Sequence, residues 1–290
     1  MLGTFGYIRA ESYEEVGRAL ADSTTDAAIL AGGTDLLIDL RNRVCSPGLL
    51  IDIKGIAGLR SIEAEDPDAI TIGAAVSLNS VIEHSAIRRR LAGLVEAAES
   101  IATYPLRNRA TVVGNLCTAS PAADMAPVLL ALGAEVHVVG PSDGRTIPLG
   151  DFFAGVKTTC LSVGDWVSDV RVPTASGVRT AFLKQQRIRG HDLAVVNVGG
   201  AFWPESGRLT IAVGSCAPTP VLFESVDGTS PAERRTARVL DGLESVVSPI
   251  DDVRGSAAYR WAVLRVLVRR IVDRLVDGAS ERPVDAKEAV

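Results

Sequence analysis

The sequence predicts an α+β protein: a two-lobed N-terminal region, made of a small α/β lobe and a larger mixed lobe, followed by a C-terminal three-stranded antiparallel sheet with helices. Three observations predict it. A strand, a glycine loop, a helix and a second strand succeed one another before Gly55, the rhythm of a small α/β unit. Helices and strands then alternate around a second glycine-centred loop as far as Pro173. Beyond Ser176-Gly177 three strand-like runs and two long helical periodicities close the chain. The expected boundaries are residues 1–55 and 56–175 for the two lobes and 178–290 for the C-terminal part.

The elements follow in order. Tyr13 to Ala21 is amphipathic at helical spacing after Ser12, a capping candidate. Ala27 to Leu30 is an apolar strand that ends at Gly32-Gly33. Asp35 to Arg41 reads as a helix with Leu36, Leu37 and Leu40 on one side, and Leu49 to Ile53 as a buried strand apolar but for Asp52. Ile70 to Gly73 alternates as a strand, while Leu78 to Glu83 and Leu91 to Ala102 read as helices, and a loop around Thr111 follows. Met125 to Leu132 is a helix with Asp124 as its cap, and Glu135 to Val139 a strand. In the C-terminal part the strand-like runs are Thr180 to Gln186, Ala194 to Trp203 and Leu209 to Val213. Helices are expected near Ala232 to Leu240 and Ala257 to Val276. In the last, Trp261, Leu264, Val268, Ile271 and Leu275 form an apolar stripe between Arg265, Arg269 and Arg274, which suits packing on its own sheet.

Composition limits the function. With 290 residues, 47% apolar and 22% charged, the chain can bury a full core. Its formal charge of −5 denies it the cationic surface that nucleic acid or an anionic membrane requires. Cys45, Cys117, Cys160 and Cys216 stand far apart without a C-x-x-C pair, and His84, His137 and His191 are equally scattered, so no zinc or iron–sulfur motif is expected. No secretory signal and no apolar run of membrane-spanning length is seen, and the expectation is a cytoplasmic protein with reduced thiols.

Two loops carry the chemistry. Ala31-Gly32-Gly33-Thr34-Asp35 and Thr111-Val112-Val113-Gly114-Asn115 are both glycine-centred and uncharged at the turn. Glycine lets main-chain N–H groups reach anionic oxygens, and successive N–H groups form a concave anion nest. Together the loops suit a split diphosphate clamp in which backbone amides do most of the neutralising and the Thr34 and Thr111 hydroxyls can donate. Asp35 has the wrong charge for a phosphate contact and is better placed as a helix cap. The first loop taken alone also fits a simple turn before a capped helix. The G-x-G-x-x-G signature of a nicotinamide fold is absent.

Ala31-Gly-Gly-Thr-Asp-Leu-Leu, Leu50-Ile-Asp-Ile-Lys, Ile72-Gly-Ala, Arg107-Asn-Arg-Ala-Thr, Gly114-Asn-Leu, Ala119-Ser-Pro-Ala-Ala-Asp, Asp192-Leu-Ala, Ala217-Pro-Thr-Pro and Asp252-Val-Arg-Gly-Ser-Ala-Ala-Tyr-Arg occur in this order. In that set the chain resembles the FAD-binding medium subunit of the molybdenum hydroxylases, the family of xanthine dehydrogenase and carbon monoxide dehydrogenase, related in fold to flavoproteins of the vanillyl-alcohol oxidase type. The resemblance implies non-covalent FAD held at its diphosphate by Gly32, Gly33 and Thr34 and by Thr111, Gly114 and Asn115, with Ala31 and Asp35 counted among the cofactor-binding residues of the first loop. It also implies polar contacts from Thr118 and Asp124, an apolar contact from Val167, and Lys184 near the isoalloxazine. It further implies electron transfer from [2Fe–2S] clusters on a small partner, with the molybdenum–pterin cofactor on a large partner, in a dimer of heterotrimers. No catalytic residue and no metal ligand are assigned to this chain, because the flavin carries the redox step. One departure is visible: Val113 stands where the family usually has the first of two glycines, and a β-branched residue there is strained if positive φ is needed. A stand-alone FAD-dependent oxidoreductase and a flavin-free assembly subunit remain alternatives.

Overall fold

The computed structural model describes residues 3–22, 26–141, 143–188, 190–225 and 230–278. It begins with β1 (Gly6–Arg9), α1 (Tyr13–Asp22), β2 (Ala27–Leu30), α2 (Leu36–Asn42) and β3 (Leu49–Asp52). The three strands form a parallel sheet in the order β1-β3-β2. Ser12 caps α1, accepting a hydrogen bond from Glu15 N at 3.2 Å, as the sequence predicts. β1 is an addition: its four residues are mostly exposed, so no apolar run announces it.

Next come β4 (Ile62–Glu63), β5 (Ala69–Gly73), α3 (Leu78–Glu83), α4 (Ser85–Arg90), α5 (Ala92–Glu99), α6 (Tyr104–Arg107), α7 (Val112–Cys117) and α8 (Met125–Leu132). They continue with β6 (Glu135–Val139), β7 (Arg145–Pro148), α9 (Leu149–Phe152), β8 (Phe153–Gly155), β9 (Thr158–Thr159) and β10 (Trp166–Pro173). An antiparallel sheet of order β4-β5-β10-β6-β7 forms the body of this part. Two expectations are corrected. The helix expected over Leu91 to Ala102 is shorter: α5 starts only after Leu91, which lies outside helical geometry (φ −136°, ψ 57°), and it ends at Glu99. The Thr111 segment is no loop beyond Thr111 itself: residues 112–117 form α7, whose first turn the Thr111 hydroxyl caps.

The chain ends with β11 (Arg179–Gln185), β12 (Val196–Trp203), β13 (Arg208–Gly214), β14 (Val221–Ser225), α10 (Ala232–Glu244) and α11 (Ala257–Asp277). The antiparallel sheet β11-β12-β13-β14 therefore holds four strands rather than three. The fourth, β14, is a short edge strand registered on β13 from Val213 opposite Val221.

Both faces of this sheet are covered. Strand β12 is buried along nearly its whole length, because α11 packs on one side and α8 on the other. Its residues divide by period two: Val196, Val198 and Phe202 join the core beneath α11, with Leu264, Val268, Ile271 and Leu275. Ala201 joins the other core, together with every residue of α8 except Pro127. Gly199 permits the close approach, since a Cβ there would lie 2.4 Å from Val128 N in α8. The C-terminal sheet is thus the floor on which the preceding part rests.

Candidate functional site

The two glycine loops touch. A Cβ on Gly32 would lie 2.2 Å from the carbonyl oxygen of Arg109, so only glycine lets the first loop pack on the backbone just before Thr111. Thr118, at the C-terminal end of α7, donates its hydroxyl to Asp35 Oδ2 at 2.9 Å and lies 3.0 Å from Gly114 O. Asp35 occupies the cap position of α2 but makes no capping bond with its side chain. The expectation of a cap is corrected: Thr118 competes for the carboxylate and wins it, tying the loops together.

Around this contact main-chain donors are left over. The N–H groups of Gly32, Gly33, Thr34 and Asp35 have no acceptor among the described residues. Gly33 turns the chain with φ +74°. In the second loop the Thr111 hydroxyl accepts from Gly114 N at 3.0 Å, and Thr111 O accepts from Asn115 N, also at 3.0 Å. The Val113 N–H group, in a buried residue, finds no acceptor among the described residues, whereas Val112 N–H is turned to the Val76 carbonyl by the antiparallel bridge between Ser77 and Thr111. Unpaired donors at half-buried and buried backbone are costly unless a ligand supplies acceptors. Asn115 Oδ1 accepts from Met125 N at 3.3 Å, which fixes its carbonyl towards α8 and leaves its amide N–H groups as further donors.

Val113 is unstrained. It lies within α7, outside the positive-φ residues, and its side chain is 3% exposed in the core. The glycine that matters is the next one, since a Cβ on Gly114 would stand 2.8 Å from the capping hydroxyl of Thr111.

A polar cluster lies beneath the second loop. Lys184 Nζ pairs with Asp124 Oδ2 at 2.7 Å, both side chains 6% exposed, and donates to Ser100 O at 3.2 Å. Asn197 Nδ2 donates to Asp124 Oδ1 at 2.7 Å. Lys184 and Asn197 are direct cross-strand partners in β11 and β12, on the face turned to α8, which is why both reach one carboxylate. Burial pushes the Asp124 carboxyl up, and Lys184 and Asn197 pull it back only in part. Asp124 precedes α8 without a capping bond, another corrected expectation with the same reason: the ion pair holds the carboxylate elsewhere. Val167 is buried in β10 opposite Val138, beside a bulge, and β10 packs against α7.

Of the residues predicted, the structure brings Asp35, Gly114 and Thr118 into one contact, sets Gly32 on the Arg109 backbone two residues before Thr111, and ties Asn115 to Met125, the neighbour of the Asp124 that pairs with Lys184. Thr34 has no side-chain bond among the described residues, and Val167 joins only through packing. Sequence reasoning missed Asn197, which strand alternation with Lys184 could have found. It also missed Lys54, which reaches back to the first loop: its ammonium donates to Ala31 O at 2.9 Å and pairs with Asp52 Oδ1 at 2.7 Å. Two hollows lie away from the loops, one of about 370 Å³ beside Val247, Pro249 and Trp261, the other of about 280 Å³ beside Tyr13, His137 and Asp169. Neither carries the row of unbonded donors that marks the loops.

Comparison with known proteins points the same way. Residues 3–175 match the family described as the FAD binding domain in molybdopterin dehydrogenase, and residues 181–275 match the CO dehydrogenase flavoprotein C-terminal domain. The chain is 31% identical to the carbon monoxide dehydrogenase medium chain of Hydrogenophaga pseudoflava, over 93% of this chain and 96% of that one. It is 28% identical to the xanthine dehydrogenase FAD-binding subunit of Escherichia coli O157:H7, over 94% and 96%. A solved structure of carbon monoxide dehydrogenase from Hydrogenophaga pseudoflava superposes with a TM-score of 0.90 at 30% identity, covering 97% of this chain and 100% of that one. No described helix is long and apolar enough to cross a membrane.

Proposed function

The chain belongs to the FAD-binding medium subunits of the molybdenum hydroxylases, and on that premise we propose that it holds FAD between its two glycine loops as the exit station of an electron-transfer complex. The observation that carries this reading is the Gly32–Arg109 contact with its surrounding row of unbonded main-chain donors. Those residues fit a dinucleotide diphosphate. The donors are backbone N–H groups rather than solvated lysines, and they lie on a loop that is held against the second one by the glycine contact with Arg109.

In this proposal Gly32, Gly33, Thr34 and Val113 bind the diphosphate through main-chain N–H groups, with the Thr34 and Thr111 hydroxyls and the Asn115 amide beside them. Asp35 stays turned to Thr118 and thereby keeps its charge away from the phosphates. Lys184 keeps one ammonium N–H beyond those given to Asp124 and Ser100, and presents it to the isoalloxazine from a pair whose net charge is close to zero. Val167 supplies an apolar wall. When bound, FAD supplies the change between two-electron and one-electron chemistry that lets [2Fe–2S] clusters on a small partner communicate with an external acceptor. Substrate oxidation belongs to a large molybdenum-cofactor partner, and a dimer of heterotrimers is the expected assembly. The relatives named above are a medium chain and a FAD-binding subunit, which supports the need for partners.

The test is direct. The purified full chain is expected to be yellow, or to become so with added FAD, at one flavin per chain. A correctly folded protein that stays colourless with excess FAD overturns the reading and favours a flavin-free assembly subunit. Val113 gives that rival no support, because its helical conformation is ordinary.

A further inference from the structure

We infer that Lys54 is a positioning residue for the diphosphate site: its ammonium pins the carbonyl of Ala31 and thereby aims the Gly32 N–H outward at the anion. The inference rests on the reading of the loops as the FAD diphosphate site and adds to it a residue outside both loops.

Strand β3 ends at Asp52, and the short helical turn Ile53–Gly55 folds Lys54 back over the end of the neighbouring strand β2. There Lys54 Nζ donates to Ala31 O at 2.9 Å and approaches Leu30 O at 3.4 Å. In a trans peptide the C=O and N–H vectors oppose one another, so a carbonyl drawn towards Lys54 sends the next N–H the other way. That N–H is Gly32's, the one on the residue packed against Arg109.

Lys54 is itself held. Asp52 Oδ1 pairs with its ammonium at 2.7 Å and also accepts from Lys54 N at 2.9 Å, while Asp52 Oδ2 accepts from the Tyr7 hydroxyl at 2.7 Å. The Asp52 side chain is 8% exposed and that of Lys54 25%, so the pair is shielded from solvent more than a surface bridge is. Its positive end lies on the loop side. Lys54 therefore does two things for an anion: it orients a donor, and it leaves a positive potential behind the loop with Asp52 on the far side.

The test is FAD binding by the apo form of the full chain, followed by flavin fluorescence, with ADP as a competitor that carries the diphosphate but no flavin. Lys54→Met is expected to raise the dissociation constants for FAD and for ADP together by about ten- to a hundredfold, the range of a charge-assisted hydrogen bond. Lys54→Arg is expected to recover most of the loss. Should Lys54→Met fail to fold, Lys54→Gln, which keeps a neutral donor, is read by the same two constants and is expected to weaken both. FAD affinity within twofold of the native value in a folded variant overturns the inference, as does a loss confined to FAD with ADP unchanged. A native chain that binds neither FAD nor ADP instead sinks the diphosphate reading itself.

Discussion

At the scale of single residues, Gly32 decides most. Its Cα rests on a carbonyl of the opposite loop, so Gly32→Ala forces a 2.2 Å contact to open and the loops to separate. Overpacking of this kind costs about 1–3 kcal/mol, which a chain of this size can absorb. The expected outcome is a folded protein with at least tenfold less bound flavin, read from the visible absorbance per chain beside an unchanged far-ultraviolet dichroism spectrum. Undiminished flavin content would remove Gly32 from the site. The Lys184–Asp124 pair makes a second prediction. Removing one member strands the other charge in the interior, and Lys184→Met is expected to cost about 3 kcal/mol of stability in urea unfolding. Adding Asp124→Asn, which keeps an acceptor for Asn197, is expected to recover part of that loss. Simple summation of the two single costs would show that the residues do not act as a pair. Much of this was legible in the sequence, because glycine at a turn and threonine at a helix start have few physical readings. The destinations of Asp35 and Asp124 were not legible. A carboxylate at a helix start normally caps, and only the fold brings Thr118, Lys184 and Asn197 near enough to compete for it.

At the scale of elements, legibility followed burial. Strand β5 and helices α3, α8 and α11 have strong apolar periodicity and lie close to where the pattern places them, whereas β1 and the edge strand β14 have little buried surface to declare them. Helix α7 was hidden for a different reason: its residues Val112, Val113 and Leu116 face the core while its polar positions belong to the site, so the pattern resembled a loop. The segment before α11 yields a prediction about acid. Burial pushes the Asp252 carboxyl up, but the Arg254 N–H and the guanidinium groups of Arg254 and Arg260 outweigh it and hold it well below the usual carboxylate range. Hydrogen bonds from Arg187 draw Asp192 down to about 2. A carboxyl depressed in the folded state contributes stability above its unfolded value of about 3.9 and loses it as pH falls through the folded value. Unfolding by urea is therefore expected to become easier below about pH 4. The drop between pH 6 and pH 3 should be smaller in Asp252→Asn; an equal drop would place the acid sensitivity elsewhere.

For the molecule as a whole, the joint between the N-terminal part and the C-terminal sheet is broad and polar as well as apolar. Thr210 donates its hydroxyl to Ala131 O in α8 at 2.6 Å, Ser215 N donates to Pro121 O at 2.7 Å, and Phe182 N donates to Glu96 Oε2 at 2.9 Å. Arg274 of α11 also pairs with Glu96. All eight residues of α8 are buried, much of that against β12 and β13. A fragment ending at residue 177 would expose that helix, and it is expected to aggregate or to bind a hydrophobic dye strongly where the full chain does neither. A soluble, dye-silent fragment would show that the two parts fold independently.

The contact of Gly199 with α8 has an evolutionary corollary. Because the sheet and the helix meet backbone to backbone, neither can drift in shape without the other, and a chimaera joining the first part of this chain to the last part of a relative should misfit along that seam. A recombination joint near position 177 is therefore expected to lower stability wherever the two segments come from different chains, even though it falls between elements.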